Sequence, residues 1–294
     1  MKISIVGILV LVLIGNVTGE EFLNSPQKEN WESVVKVWSG AAELNRYELH
    51  QERYGEIRKG ESVLVFVREP FLKDRQVKDE SGRGNDQVLK MNSVRKFMTG
   101  LYPYSTMVSV FQPLEKNSAG EALKVTTSVQ EWCGHVFVQM NRRDGVLNTE
   151  VRSYFETEEG GKFEERKPVL LEDEIWTALR VDPFGLPVGS VSMIPGSLYL
   201  RLSHGVPKPV LAEARWVNGK DEMSAVYEVS YTESGRVLAI EIEKKLPYVI
   251  LGWHESSGKQ LLSSGKLLNR ENNIDYWNYA DGQKGKRMRA KLGF

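Results

Sequence analysis

From Ala42 onward the chain is dominated by short runs in which apolar and polar residues alternate, broken by glycine, aspartate and asparagine. A period of two marks strands with one buried face. Ala42 to Tyr54 and Ser62 to Arg68 read as the first pair, with Gly55-Glu56-Ile57-Arg58-Lys59-Gly60 as a polar hairpin connection. Val63-Leu64-Val65-Phe66-Val67 is apolar on both faces and predicts a central strand. Lys78 to Asp86 is charged, rich in glycine and serine, and without apolar period, which predicts a mobile surface loop before strands resume at Val88. In Leu123 to Glu131 the residues Leu123, Val125, Thr127 and Val129 take one face and Lys124, Thr126, Ser128 and Gln130 the other. Cys133 to Arg142 reads as the next strand, and Asp144-Gly145 as a hairpin turn into Val146 to Glu156.

One segment changes period. Leu171, Ile175 and Leu179 are spaced by four, with Trp176 beside them and Glu172, Asp173 and Glu174 where negative charge suits a helix N-terminus. This predicts a short helix near 171–180, stopped by Asp182-Pro183. Phe184-Gly185-Leu186-Pro187-Val188-Gly189 follows as a linker or tight corner, so two halves of one domain would meet near 181–190. Strands are expected again over Ser197 to Leu202, Val210 to Val217, Ala225 to Thr232, Val237 to Lys244, Tyr248 to Glu255 and Gln260 to Arg270. The pattern predicts a mainly β protein, an antiparallel meander forming a curved sheet, half-barrel or sandwich.

The first nineteen residues have a different character. Lys2 precedes an apolar run from Ile3 to Ile14, and Val17-Thr18-Gly19 leads into Glu20-Glu21. A positive start, a short apolar core and small residues before a charge describe a secretory signal peptide. A membrane span needs roughly 20 consecutive apolar residues, and Gly15-Asn16 ends this run sooner. The expected organisation is a leader over 1–19, cleaved, and a β-rich domain over 20–294, with no transmembrane helix after cleavage and a periplasmic or secreted location. The only cysteine is Cys133, so the exported chain has no internal disulfide and no cysteine at the cleavage point to carry lipid. Lysine plus arginine equals aspartate plus glutamate at 39 each, so no global field attracts nucleic acid. The basic tail from Lys284 to Lys291 reads as a solvated arm; alternatively, its alternation up to Phe294 resembles the last strand of an outer-membrane barrel.

Candidate chemistry is sparse. Cys133 and His135, two residues apart, suggest a thiol nucleophile with its base. On a strand such side chains stand about 6–7 Å apart, too far for a direct hydrogen bond, so the competing reading is a small buried residue beside a strand histidine. His50, His135, His204 and His254 lack paired metal-ligand spacing, and no glycine-rich phosphate loop or nucleophile elbow is present. No cofactor and no metal are therefore expected. The aromatic residues carry more: Tyr47, Phe66, Tyr104, Trp132, Tyr199 and Trp253 are candidates to line an apolar cavity if the sheet curls.

The segments Arg53-Tyr54-Gly55-Glu56-Ile57-Arg58-Lys59-Gly60, Val88-Leu89-Lys90-Met91-Asn92, Tyr102-Pro103-Tyr104-Ser105, Gln130-Glu131-Trp132-Cys133-Gly134-His135 and Leu251-Gly252-Trp253 resemble an uncharacterised family of exported bacterial proteins, Bacteroidetes-type, that often carries the label "septum formation inhibitor Maf". True Maf nucleotide pyrophosphatases are α/β proteins marked by a serine-proline-arginine-arginine segment, which this chain lacks. The resemblance implies export and no catalytic residue. By fold analogy, a long meander with one helix is similar to the half-barrels of periplasmic lipoprotein carriers. The leading expectation is a non-catalytic binding protein for an envelope component or apolar small molecule. The alternatives are a hydrolase or thiol enzyme using Cys133 and His135, and a structural envelope or outer-membrane barrel protein.

Overall fold

The computed structural model describes residues 29–82, 84–158 and 160–294; the leader expected over residues 1–19 lies outside them. A short helix, α1 (Trp31–Val37), is capped by the Asn30 side chain on the Ser33 N–H. The chain then runs through β1 (Ala42–Arg53), β2 (Glu56–Leu72), β3 (Val77–Lys78), β4 (Gln87–Thr99), β5 (Tyr102–Pro113), β6 (Lys124–Glu131), β7 (Gly134–Arg143), β8 (Val146–Ser153) and β9 (Gly161–Glu165). After β10 (Leu170–Leu171) and α2 (Glu172–Val181) come β11 (Gly189–Ile194), α3 (Ser197–Leu202), β12 (Val210–Asn218), β13 (Ser224–Tyr231), β14 (Arg236–Glu243), β15 (Ile250–Ser257), β16 (Gln260–Ile274) and α4 (Gly282–Leu292).

The strands form one mostly antiparallel sheet in the order β10-β11-β12-β13-β14-β15-β16-β1-β2-β4-β5-β6-β7-β8-β9, with β3 on the side of β2. The expected β-rich class is what the structure shows, and the strands on both sides of 181–190 belong to this sheet. β16 pairs with β1 and so joins the two meanders. Its two end strands, β9 and β10, are separated by only the short stretch between Glu165 and Leu170. Five residue steps reach at most about 18 Å, so the sheet must curl until its edges face each other across an open seam. Arg142 of β7 bridges towards that seam, donating to Val169 O at 3.1 Å and Ala122 O at 3.3 Å.

Inside the curl lies α2, buried along its whole length and packed over β4 and β5. The inner face of β1 shows how period two feeds this interior: Tyr47 and Leu49 are fully buried, while Glu48 between them is exposed. On the opposite face, Leu44, Ile274 and Leu292 form a small cluster with Val65, Met288 and Phe294, so α4 covers the outside of β1 and β2. That explains why Val63–Val67 is apolar on both faces: one side meets the core, the other this helix.

Several expectations need correction. The polar stretch is strand from Glu56 onward, because Tyr54 and Gly55 alone make the turn, at φ of 57° and 77°. Two successive positive φ angles are those of a type I′ hairpin, and tyrosine is an unusual residue there. Ser197 to Leu202 is helical, not extended, since the Ser197 N–H is held by Asp173 Oδ2 at 2.9 Å and the following backbone closes helical bonds. The basic tail is a helix and neither a loose arm nor a final barrel strand; Asp281 caps its start, and Gly293 at φ 80° ends it. The loop expected from Lys78 begins one residue later, after β3, and Asp79 organises its described residues by accepting from Ser81 N, Ser81 Oγ and Gly84 N.

Candidate functional site

The first turn of α2 brings three carboxylates into the interior, and each has a separate task. Glu172 takes Arg236 Nη1 and Nη2 at 2.5 and 2.6 Å, and the Tyr231 hydroxyl at 2.5 Å. Arg236 also donates from Nε to Glu255 at 2.7 Å and lies over the Tyr199 ring. Asp173 accepts from Ser197 N, and the Ser197 hydroxyl is in turn joined to Thr127 Oγ1 of β6. Glu174 accepts from Ala122 N at 2.7 Å and Leu171 N at 2.8 Å. These bonds pin α2 to β14 and β15 on one side and to α3 and β6 on the other. Burial outweighs the Ser197 hydrogen bonds at Asp173 and pushes its pKa up to about 6.

Beneath α2, this network borders a chamber of about 140 Å³ lined by Met91, Val108, Trp176, Leu198, Leu238 and Leu262, with Arg95 and Tyr199 among its polar groups. Arg95 sits on the inner face of β4 and is 8% exposed. Its Nη1 donates to Gln51 Oε1 at 3.1 Å and Ser263 Oγ at 3.0 Å, and its guanidinium lies 4.9 Å from the Trp253 ring centroid. Nε has no partner. Burial lowers the pKa of Arg95, and Glu255, Asp173 and Glu172 act on it through space. An unpaired buried donor costs about 1–3 kcal/mol, so this side chain is held against its own solvation.

On the far side of α3, in the seam, is a wider cleft of about 540 Å³. Val136, Val138 and Met140 of β7, Val151 of β8 and Phe163 of β9 form one wall; Leu200 and Arg201 of α3 with Val206 and Pro207 form the other. Glu158 holds the walls together by accepting from Arg201 Nη1 at 2.7 Å and Ser153 Oγ at 2.8 Å, and by meeting His204 Nδ1. His204 takes φ 57°, the turn that ends α3 and folds 205–207 over the cleft. The short helix α3 is thus the partition between chamber and cleft: Leu198, Tyr199 and Leu202 face the first, Leu200 and Arg201 the second.

Of the six aromatic cavity candidates, only Tyr199 reaches a cavity. Tyr47, Phe66, Tyr104 and Trp253 fill the core. Tyr47 donates to Ile250 O at 2.7 Å, Trp253 Nε1 to Ser263 Oγ at 3.0 Å, and Tyr104 meets Arg53 Nε and the Tyr54 hydroxyl. Trp132 lies at the surface, stacked on Tyr102. Cys133 is exposed in the turn between β6 and β7, which corrects its reading as a buried residue. Its thiol meets Glu131, which holds its pKa above the usual thiol value and so disfavours the thiolate a nucleophile needs. His135 is exposed on β7, opposite Gln130. Among the described residues no cluster of three histidine, cysteine, aspartate or glutamate side chains is placed to hold a metal ion, and no helix is long and apolar enough to cross a membrane.

Neither Arg95 nor Arg236 was singled out in the sequence, although a signal existed for the first. Leu89, Met91, Ser93, Arg95 and Phe97 share the inner face of β4 by period two, so an arginine interrupts an apolar row. The fold and its cavities define a curled, open antiparallel sheet with a helix in its interior and two cavities divided by a second, shorter helix. No family model and no curated protein matches the chain.

Proposed function

We propose that this is an exported, non-catalytic binding protein that holds an apolar small molecule or the apolar part of an envelope component in the seam cleft. The observation that carries the reading is the cleft itself. Its wall of β7–β9 side chains is aliphatic and aromatic, and its volume falls within the roughly 300–1,000 Å³ usual for small-molecule sites. A sheet that closed fully would fill this space with its own side chains; the open seam leaves it to a ligand. Export rests on the composition of residues 1–19, and the thiol protonated beside Glu131 gives an enzyme reading no support.

The test is a fluorescence titration of the mature protein with N-phenyl-1-naphthylamine, an uncharged apolar probe. Saturable, one-to-one binding that weakens at least tenfold in Val151→Phe, which fills the cleft from its half-buried side, is the expected result. Flat or unsaturable fluorescence, or equal affinity in the variant, overturns the reading. N-terminal sequencing of protein recovered from its own host checks export: a mature chain beginning near Glu20 is expected, and an intact Met1 overturns it.

A further inference from the structure

We propose that the end of the sheet carrying the β1–β2, β4–β5 and β6–β7 turns docks onto the surface of a lipid bilayer, with Leu101 entering the acyl boundary and Tyr54, Tyr102, Trp132 and Tyr154 at headgroup depth. Turns ordinarily hold small polar residues. Here the successive connections at this end, from β1 to the residues after β8, read Tyr54-Gly55, Gly100-Leu101, Trp132-Cys133 and Tyr154-Phe155, without a charged residue. Leu101, Tyr154 and Trp132 are 78%, 76% and 68% exposed, so folding gains little from them. They belong to one continuous band. The Tyr102 hydroxyl donates to the Tyr54 hydroxyl at 3.3 Å, the Trp132 ring stacks on Tyr102 at 5.9 Å, and the Tyr154 ring fills the space over Gly134 at the start of β7.

Charge selects the partner. Arg53 and Glu131 flank these tips but are each 7% exposed and turned away from solvent: Arg53 donates to Leu202 O at 2.8 Å, and Glu131 accepts from Cys133 N at 2.6 Å. Glu56 and Arg152, behind the tips, are paired with Arg58 and Glu150. Connections at the opposite end instead carry Lys73-Asp74-Arg75, Glu115-Lys116 and Lys220-Asp221-Glu222. An uncharged rim of tyrosine and tryptophan around an aliphatic tip matches a bilayer interface, where such rings settle with one edge wet.

The band also leads to the seam cleft. Glu156, two residues after Tyr154, belongs to the cleft lining, and α3 ends at the same rim, where Arg53 holds Leu202. That the cleft mouth faces the membrane as the source of its apolar occupant rests on the apolar reading of the cleft; the docking itself does not.

The test mixes the full mature chain with sucrose-loaded phosphatidylcholine vesicles and compares its sedimentation with that of Leu101→Asp/Trp132→Asp. Wild type is expected to pellet with the vesicles at low and high salt alike, because no charge drives the contact. The double variant should bind at least tenfold more weakly while keeping one-to-one N-phenyl-1-naphthylamine binding in vesicle-free buffer. If it loses the probe as well, Trp132→Phe decides: quenching of tryptophan fluorescence by brominated phosphatidylcholine should fall by at least half. Vesicle binding by a wild type that does not bind the probe supports the docking and removes only the cleft's part in it. No sedimentation of wild type, equal binding by a double variant that keeps the probe, or quenching unchanged in Trp132→Phe overturns the proposal. Binding to phosphatidylglycerol vesicles alone, lost at high salt, overturns it too, since that places the contact on the basic face of α4. So does a vesicle-indifferent dimer that the double variant returns to monomer, which gives the rim to a second copy.

Discussion

Replacing Asp173 by asparagine tests whether the interior network holds a carboxylate against its own solvation. The Asp173 pKa rises from 3.8 to about 6, with burial as the largest cause and Glu172 adding to it, while the Ser197 N–H and hydroxyl and Arg236 act against it. An acid with a raised folded-state pKa keeps its proton longer in the folded chain than in the unfolded one. Its contribution to stability is therefore present below pH about 4 and is lost as pH rises through about 6. Between pH 4.5 and pH 8 the loss comes to about 2 kcal/mol, at about 1.4 kcal/mol per pKa unit less the part already titrated at the lower pH. Asparagine keeps an acceptor for Ser197 N and does not titrate. The free-energy difference between variant and wild type should therefore move by about 2 kcal/mol in favour of asparagine from pH 4.5 to pH 8. Urea unfolding followed by tryptophan fluorescence at three pH values measures it, and groups common to both proteins cancel in the difference. A difference that stays constant, or turns against asparagine as pH rises, would refute the reasoning, because ionised Asp173 would then be stabilising at the start of α3.

Three further predictions concern other parts of the molecule. Arg180→Met should cost about 3 kcal/mol in urea unfolding, because it leaves Glu43 buried with only Arg270 and Asn45 and strips the cation from the Phe66 ring; a loss below about 1 kcal/mol would show the pair to be dispensable. Cys133→Ser should change stability by less than about 0.5 kcal/mol, and the native thiol should react fully with Ellman's reagent; a cost of 1–2 kcal/mol, expected of a buried thiol, would contradict its exposed position. Leu292→Ala should cost about 2 kcal/mol and loosen α4, seen as faster amide exchange over 282–292, since Leu292 is the buried contact of that helix with Leu44 and Ile274; unchanged exchange would mean that α4 is held by its caps alone.

How much of this was legible depends on whether the deciding contact was local. Val125, Thr127 and Val129 alternate with exposed or half-exposed neighbours, as a half-buried strand requires, and Asp144-Gly145 turns the chain where its φ angles of 49° and 75° place a hairpin. The helix after Leu171 was legible from spacing alone. Ser197 to Leu202 was not. Alternating Leu198, Leu200 and Leu202 suits a strand, and here it serves a helix flanked by two cavities, so residues on several sides are apolar. What settles the matter is a hydrogen bond from Ser197 to Asp173, 24 positions earlier. In the tail, Asp281 and Gly293 are ordinary helix start and stop residues, but Met288, Ala290, Leu292 and Phe294 also fit an alternating pattern, and only the patch of Leu44 and Ile274 chooses the helix.

The candidate site shows the same division in sharper form. Aromatic residues were the natural cavity markers, yet a curled sheet spends most of them on its core, where Tyr47, Trp176 and Trp253 pack ring on ring. The cavities lie where packing gives way to charge. Glu172, Asp173 and Glu174 satisfy a helix-start pattern in sequence, which hides that all three are buried and that each fixes a different neighbour. Replacing such ion pairs by apolar residues is often neutral or stabilising, so stability alone is a weak reason for a core of this kind. Directional bonds to Arg236, Ser197 and Ala122 do what apolar contacts do not: they set α2 and α3 at fixed positions with open space on both sides of α3. A chain built only to fold would close that space with side chains, and this one instead leaves it open on both sides of α3.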